Sequence, residues 1–557
     1  MEQPDNNSSV SSPTPRRGNR LSVILLPAAC ALALVAGIWI GVLLERREDR
    51  SPAIDKFESI LATIQANYVD SVSVDSLVEL TIPELLANLD PHSAYIPAKD
   101  LKAANRELES SFFGIGIQFQ IFNDTVYIAE VISGGAAERA GIKAGDRIIA
   151  VDGTDITGEA ADQEKIFEMI RGDLGTPVSV RIKRYNSSKS FDFNLIRSEI
   201  PVSPIDAAYM IDTNVGYLRI SKFAENTYIE FLKAFNELRY RGAESFIIDL
   251  RGNTGGYMEP AVLMANEFFD DNSIIVMTKG NNHEHDQIIS SDMRGSFSGA
   301  DIAILIDEFT ASASEIFAGA MQDNDRGLIV GRRSFGKGLV QLPFTLPDSS
   351  QMRLTIQRYY TPSGRCIQKD YKKGSNAYSA EIFDRYATGE AFSADSVRTD
   401  STQIFHTRTG RTVYGGGGII PDVYVPTDTV GVNKYYIKVV NAGLLQKFAH
   451  KYVDENRTML SEAKNVNELL ARLPSDISLI SMFVNFASQT EKIPRQWGSI
   501  NESTPLIVNQ LKALIARDIL GFNAYFEVAN REDNVVNEAL RRINAGEAAF
   551  PIIPEGK

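Results

Sequence analysis

Between residues 200 and 345, short apolar runs alternate with helical segments of ten or more residues. The runs SFIIDL and DIAILIDE are apolar at their centres, as expected of strands that are buried on both faces of a sheet. Strands separated by helices of this length predict parallel pairing in an α/β layer. This alternation limits the central part of the chain to a layered α/β domain.

The rest of the chain follows other patterns, and its 557 residues suffice for several domains. Before the α/β segment, apolar residues at helical spacing come first, and a stretch of short alternating strands with one substantial helix follows. After the α/β segment, the apolar residues again show helical spacing. The predicted regions are a disordered polar tail (1–20), an apolar segment (21–44), a helical region (51–111), a β-rich module (112–198), an α/β core (199–430) and a helical C-terminal region (431–557).

The segment from Leu21 to Leu44 contains 24 residues without a charged side chain. As a helix it would measure about 36 Å, enough to cross a hydrocarbon core of about 30 Å. It predicts one transmembrane helix, with the lipid bilayer as a partner. A cleaved signal peptide is the alternative, and arginines on both flanks leave the orientation open.

The formal net charge of −14, without a cluster of Lys and Arg, argues against nucleic acid as a partner. His283 and His285 could bind a metal, but they lie in a polar segment without further ligands at a suitable spacing. We therefore expect neither a metal site nor another cofactor.

Two serines lie between a predicted strand and a predicted helix. Ser312 and Ser314 follow DIAILIDE and precede the helical stretch SEIFAGAM. A hydroxyl at a helix N-terminus lies near free backbone N–H groups, which suit a developing oxyanion. The alternative is that these serines only cap the helix.

Lys337 lies between Gly336 and Gly338, which would let it enter a packed site. A lysine acts as a general base when burial lowers its pKa enough to leave the amine neutral. Serine with lysine as base predicts peptide-bond hydrolysis. The stretch from Gly331 to Lys337 also matches the G-x-x-x-x-G-K pattern of a phosphate-binding loop. However, a glycine follows where Ser or Thr should meet magnesium, and the next residues are strand-like.

Taken together, the segments from about residue 55 to 426 resemble the C-terminal processing peptidases, also called tail-specific proteases. The PDZ-like part is carried by FFGIGIQF, ISGGAAERAGIKAGDRIIAVDG and IRGDLGTPV, and the catalytic part by IIDLRGNTGG, TASASEIFAGAMQD, GRRSFGKGLVQ, RYYTPSGR and GGGGIIPD. The resemblance implies a PDZ-like module (112–198) inserted in an α/β, ClpP/crotonase-like Ser-Lys protease core (199–430). The transmembrane helix and the helical C-terminal extension complete the expected fold.

The resemblance also implies roles for single residues. Ser312 would be the nucleophile, Lys337 the general base, and Gln341 the residue that orients the lysine. The N–H of Ala313 and that of Gly255 or Gly256 would form the oxyanion hole. The substrate tail would bind at Gly114, Ile115, Gly116, Ile117 and Arg171.

We therefore expect a single-pass membrane serine endopeptidase, without metal or organic cofactor, that binds protein substrates by their C-terminus. Its catalytic region is expected on the periplasmic side, as is common in the resembled family. An inactive PDZ scaffold that gathers partners at the membrane is the alternative function. The C-terminal helices would serve either self-association into a homo-oligomer or packing on the protease core.

Overall fold

The computed structural model describes residues 33–37, 39, 51–106, 109–122, 124–185 and 187–549. The tail predicted at 1–20 and most of the transmembrane segment predicted at 21–44 lie outside these residues. Of the helices described, none has by itself the length and apolar composition needed to cross a membrane. One pair, Val466–Arg472 and Asp476–Thr490, meets both measures only when taken together, across a bend of 70°.

The chain divides between Glu84 and Leu85 into two compact units. The first contains helix α1 (Pro52–Asn67) and most of helix α2 (Val74–Ala87). The Ser51 side chain accepts a hydrogen bond from the N–H of Ala53, and a proline occupies the first helical position. Both features favour the start of a helix at this point.

The second unit begins with strand β1 (Ala94–Ile96) and helix α3 (Leu101–Asn105), followed by the β-rich module. The elements of the module are β2 (Ser111–Gly114), β3 (Ile117–Phe122), β4 (Thr125–Val131), α4 (Ala136–Ala140), β5 (Arg147–Val151), β6 (Thr154–Asp155), α5 (Gln163–Ile170), β7 (Pro177–Lys183), β8 (Ser190–Ile196) and β9 (Ser198–Pro201). An antiparallel sheet runs in the order β3-β4-β5-β7-β8, with β3 at one edge. Strands β2 and β9 pair where the chain enters and leaves the module.

Two sheets form the core that follows. Its elements are β10 (Ile205–Met210), β11 (Val215–Ile220), α6 (Thr227–Tyr240), β12 (Ser245–Asp249), α7 (Met258–Asn266), β13 (Ile274–Gly280), β14 (Gln287–Ser290), β15 (Asp301–Ile306), α8 (Ala313–Asp323), β16 (Leu328–Gly331), β17 (Leu339–Thr345), β18 (Gln351–Tyr360), α9 (Ser375–Ala387), β19 (Ile404–His406), β20 (Thr412–Tyr414) and β21 (Val423–Tyr424). The larger sheet has the order β10-β11-β12-β15-β16-β21 and is parallel except between β10 and β11. The predicted parallel pairing is therefore confirmed.

The second sheet has the order β1-β18-β13-β14, with β17 also paired to β18. Strand β1 thus joins the core sheet although it precedes the module. The module is therefore an insertion into the core, as the fold class predicted.

Helices continue to the end of the described chain. They are α10 (Lys434–Asn441), α11 (Leu444–Leu460), α12 (Val466–Arg472), α13 (Asp476–Thr490), α14 (Trp497–Leu520), α15 (Phe522–Ala529) and α16 (Asn534–Asn544). Helices α10 to α15 share one apolar core. Helix α16 instead packs Val536 and Ala539 against Tyr217 and Ile247 of the larger core sheet. It lies beyond the boundary predicted at residue 430, yet it belongs to the packing of the core.

The C-terminal helices contact both the module and the core. Asp454 of α11 is buried and pairs with Arg147 of β5 in the module. Asp533, just before α16, pairs with Arg251 at 2.9 Å. The apolar spacing of the helices is accounted for by their own apolar core and by the packing of α16 on the core sheet, while self-association stays a prediction.

Candidate active site

Ser312 occupies a strained turn between strand β15 and helix α8. Its backbone angles are φ 58° and ψ −119°, a region that costs a residue with a β-carbon about 1–3 kcal/mol. Its N–H donates to Oε2 of Glu315 at 3.0 Å, which holds the turn. The Ser312 side chain is partly exposed and forms a capping box with Glu315, and its hydroxyl proton has no acceptor among the residues described. It is therefore available for a reaction.

Ser314 has a different place from the helix cap that the sequence suggested. Its hydroxyl is fully buried and donates to the carbonyl oxygen of Asn253 at 3.0 Å. Ser312 is the residue that precedes the helix. Ser314 instead ties the glycine loop at 253–256 to the first turn of α8.

Gly255 packs directly on the serine turn. A β-carbon at this position would lie 2.7 Å from Cβ of Ser312 and 2.9 Å from the N of Ala313, and the φ of Gly255 is +99°. Only glycine fits such an approach with this backbone angle. The Gly255 N–H, however, donates to Oδ1 of Asn253 at 2.9 Å, so it is already occupied.

The neighbouring Gly256 forms a parallel bridge with Phe223. The hydrogen bonds of this bridge use the residues on either side: the Phe223 N–H donates to the Gly255 carbonyl oxygen, and the Tyr257 N–H donates to the Phe223 carbonyl oxygen. The N–H of Gly256 therefore points away from Phe223. Ala313 is the first residue of α8, and no acceptor faces its N–H within the described chain.

Lys337 precedes β17 and is partly buried. Burial lowers the pKa of its amine, whereas the negative charges of Glu315 and Asp90 raise it and the charge of Arg353 lowers it further. The resulting pKa lies below the ordinary value, which favours a neutral amine. The amine makes no ion pair or hydrogen bond with any residue in the described ranges.

One buried carboxylate holds the backbones of both residues. Glu315 accepts at Oε2 from the N–H of Ser312 at 3.0 Å and from that of Lys337 at 2.8 Å. Its Oε1 accepts from the Ser334 hydroxyl at 2.5 Å and from the N–H of Gly336 at 2.7 Å. Burial raises the pKa of Glu315 to about 7, against the lowering effect of these four hydrogen bonds. We call this arrangement the Glu315 clasp.

Tyr359 makes a second link between the same two residues. Its hydroxyl lies 3.1 Å from the carbonyl oxygen of Ser312 and 2.5 Å from that of Lys337. The structure therefore brings the two backbones together.

Unlike the two backbones, the side chains of the two residues are not linked: no hydrogen bond joins Ser312 Oγ to Lys337 Nζ in the part of the chain that the structure describes. Gln341, predicted to orient Lys337, donates instead from Nε2 to the Thr355 hydroxyl at 3.1 Å. Catalytic hydrogen bonds in enzymes without substrate are often long and shorten on binding. In the described structure, hydrogen bonds therefore link the two residues through their backbones only.

The predicted tail-binding residues lie in the module. Ile115, Gly116, Ile117 and Arg171 line a cavity of about 950 Å³ that also reaches helix α6 and residues 520–523. The Arg171 guanidinium lies 4.3 Å from the centre of the Phe112 ring, and its Nε is buried without a hydrogen-bond partner among the described residues. Gly114 ends strand β2 and does not line this cavity.

The phosphate-loop alternative does not fit the structure. The N–H groups of Gly336 and Lys337, which would have to face a phosphate, donate to the Glu315 carboxylate. Strand β17, not a helix, follows. A helix N-terminus is part of phosphate binding in such loops, so this alternative is wrong.

Sequence reasoning missed several residues that meet at the site. Glu315 had a usable signal, because S-x-x-E before a helix is a capping pattern. Tyr359 and Thr355 lie on β18, and Asp90 precedes β1. No local pattern connects these three to a serine that is far away in the sequence.

Comparison with known proteins adds to this geometry. Sequence profiles match peptidase family S41 at residues 214–374, the PDZ domain at 103–183, and a family of unknown function (DUF8443) at 435–521. The carboxy-terminal-processing protease of Bartonella bacilliformis is 32% identical over 317 residues, covering 56% of this chain and 72% of that protein. The carboxy-terminal processing protease CtpA of Bacillus subtilis is 31% identical over 351 residues, covering 62% and 74%.

Among solved structures, the photosystem II D1 C-terminal processing protease is 24% identical with a TM-score of 0.34, covering 68% of this chain and 95% of that one. The α/β core with its inserted PDZ domain is that of a PDZ-containing serine protease. The chain belongs to peptidase family S41, together with the carboxy-terminal processing proteases. It is a serine-type endopeptidase.

We expect Gly255→Ala to lower kcat/KM at least about 100-fold, because the added methyl group would displace Ser312 and a shift of about 1 Å can cost that much. Cleavage of an unfolded protein by the chain from residue 51 measures this. Gly410→Ala is the control: its φ is +94°, but no atom lies within 4 Å of the added carbon. Equal losses in the two variants would contradict the close packing at Ser312.

Proposed function

We propose that the protein is a membrane-anchored endopeptidase that recognises its substrates by their C-terminal tails and cleaves them with a Ser312/Lys337 dyad. The Glu315 clasp carries the proposal, because a single carboxylate oxygen accepts from the N–H groups of both residues. The lowered pKa of Lys337 and the Ser312 hydroxyl proton, which has no acceptor among the described residues, support it further.

In the proposed reaction, the neutral Lys337 amine takes the proton of the Ser312 hydroxyl as Oγ attacks the scissile carbonyl carbon. The resulting ammonium gives this proton to the leaving amine, and an acyl-enzyme remains. The amine then takes a proton from water as the water oxygen attacks the ester carbonyl carbon. The ammonium returns this proton to Ser312 Oγ as the C–Oγ bond breaks, so the acid product leaves and both residues are restored. The N–H groups of Ala313 and Gly256 would receive the oxyanion. Gly255 would contribute by its close packing, since its own N–H is occupied.

Tail recognition is assigned to the PDZ domain. Strand β3 is an edge strand, so an extended peptide can add to it by main-chain hydrogen bonds. Its terminal carboxylate would lie near the backbone of Ile115 to Ile117, and the Arg171 guanidinium, which lines the same cavity as does Lys233, would meet its charge.

The apolar segment 21–44 supports the membrane anchor, and the localisation is proposed with it. The catalytic region would then face the periplasmic side, where protein tails of the cell envelope are the available substrates. The proposed function does not require self-association.

We expect Ser312→Ala and Lys337→Ala each to lower cleavage of an unfolded protein at least about 1,000-fold, because each removes a group on which the chemistry depends. Lys373→Ala, which changes an exposed lysine of the core, is the matched control and should keep full activity. Full activity in Lys337→Ala would contradict the dyad. Peptide binding by the unchanged chain without any cleavage would favour the scaffold.

The same assay across pH tests the role of the lysine. Activity should rise toward mildly alkaline pH as the amine loses its proton, and the rise should begin below the ordinary lysine range because burial lowers the pKa. His92 cannot mimic this rise, since burial, and then the charge of Lys337, lower its pKa to about 4. A rise centred near 6.5 to 7 would implicate another group instead, either another histidine or Glu315, whose pKa burial raises to about 7.

Amidation of a substrate's C-terminus should weaken its binding about 10- to 100-fold, because it removes the charge that Arg171 would meet. Isothermal titration of a peptide in its acid and amide forms measures this. Arg171→Met should bind both forms alike. Arg181→Met, at an exposed pair with Asp192, is the control and should keep the preference. An unchanged preference in Arg171→Met would remove that residue from the site.

In a bacterial host, the full chain should sediment with membranes and resist extraction by alkaline carbonate, because about 24 apolar residues suffice to span a bilayer. The chain from residue 51 should be soluble. Protease added outside spheroplasts should digest the catalytic region of the anchored chain. Carbonate extraction of the full chain, or protection from the added protease, would contradict the anchor or its orientation.

A further inference from the structure

Asp90 lies in a short segment before β1 and belongs to no part of the mechanism described so far. Its carboxylate is buried and acts only as an acceptor. Oδ1 accepts from the N–H of His92 at 2.8 Å, from the N–H of Ser93 at 2.9 Å and from the Thr355 hydroxyl at 3.1 Å. Oδ2 accepts from the Ser93 hydroxyl at 2.6 Å. Burial alone would raise the pKa of Asp90, but these hydrogen bonds keep it below the ordinary value.

The direction of the hydrogen bonds follows from this charge. An ionised carboxylate has no proton to give, so the single proton of the Thr355 hydroxyl points to Asp90. The Thr355 oxygen must then accept its other hydrogen bond, which comes from Nε2 of Gln341 at 3.1 Å. Ser93 repeats the pattern, because its hydroxyl donates to Asp90 and accepts from the N–H of Thr355 at 3.1 Å.

This chain of bonds decides which end of the Gln341 amide faces Thr355. The NH₂ end is used, so the carbonyl oxygen, Oε1, is the end left for a donor elsewhere. Gln341 lies four residues after Lys337 and opposite Thr355 in the β17–β18 register. The network therefore ends on the strand that Lys337 immediately precedes.

The charged groups that shift the pKa of Lys337 include Asp90, the carboxylate of this network. The groups that act on its amine come from separate elements: Glu315 from α8, Asp90 from the segment before β1, and Arg353 from β18. The charge of Lys337 in turn acts on His92, two residues from Asp90. Removal of the Asp90 charge would consequently make the lysine easier to deprotonate.

We propose that Asp90 and Thr355 are positioning residues that fix the Gln341 amide with Oε1 toward Lys337. The proposal rests on the proposed function, in which Lys337 is the base. A neutral amine has two N–H bonds and one lone pair. When Oε1 accepts one N–H, the lone pair is free to face the Ser312 hydroxyl, and the ammonium that forms after proton transfer keeps this bond. A reversed amide would place a donor there and compete for the lone pair.

The test uses steady-state cleavage of a peptide with a free C-terminus by the chain from residue 51. Thr355→Val keeps the shape and loses the hydroxyl, and it should lower kcat about 10- to 100-fold with KM nearly unchanged. Thr355→Ser restores the hydroxyl and should recover most of kcat. In a Gln341→Ala background, Thr355→Val should cause little further loss of kcat, because the network of Asp90, Thr355 and Gln341, here called the relay, acts through the Gln341 amide.

The pH dependence of activity distinguishes loss of the Gln341 orientation from loss of the Asp90 charge. Thr355→Val keeps the Asp90 charge, so its rise in activity should stay at the pH of the unchanged chain. Asp90→Asn should both lower kcat and move the rise to lower pH. A loss in Thr355→Val that is equally large without Gln341, or no recovery in Thr355→Ser, would overturn the proposal.

The reference variants distinguish this failure from failure of the proposed function. If Lys337→Ala is inactive while Thr355→Val is fully active, the dyad stands and the relay is wrong. If Lys337→Ala keeps full activity, the base itself is wrong and the relay fails with it.

Discussion

The site depends on one buried carboxylate whose hydrogen bonds are all satisfied. A carboxylate out of contact with water is costly unless donors surround it, and the Glu315 clasp supplies four. Two of these donors are the N–H groups of Ser312 and Lys337, so the hydrogen bonds that stabilise the carboxylate also fix the backbones of the two residues of the proposed dyad. The clasp thereby supports the strained turn of Ser312. It also places a negative charge near Lys337, which partly offsets the effect of burial on the lysine pKa.

The helical C-terminal region completes the core that carries this site. A mostly parallel sheet needs cover on both faces. Helices α6, α7 and α8 share an apolar cluster with residues of one face, and helix α16 covers residues of the other. Arg251, in the loop that leads to the site glycines, bonds both to the buried Asp249 and to Asp533 at the start of α16. The last helix is thus connected to the loop beside the nucleophile, and Asp454 connects the same region to the PDZ domain.

Local patterns predicted the part of the structure that local physics determines. Strand, turn and helix around Ser312 follow from an apolar run, small residues and helical spacing, and the structure has β15 and α8 at these places. Contacts between distant segments were not predictable in this way. Ser314 suited a cap by its position, but the loop that it bonds is about 60 residues away. The hydrogen bond of Gln341 to Thr355 depends on strand register, and the amphipathic spacing of α16 does not say which surface it covers.

The central claim is that burial lowers the pKa of the Lys337 amine more than the negative charges near it raise it, so that this amine loses its proton at a lower pH than an ordinary lysine. Titration of isotope-labelled lysine amines by NMR, in the Ser312→Ala chain from residue 51, tests this without turnover. The account predicts an amine that titrates below the ordinary lysine range and whose signal is absent from a Lys337→Met variant, which distinguishes it from Lys369, whose pKa burial also lowers. Titration of every lysine amine in the ordinary range, with Lys337 identified among them, would contradict it.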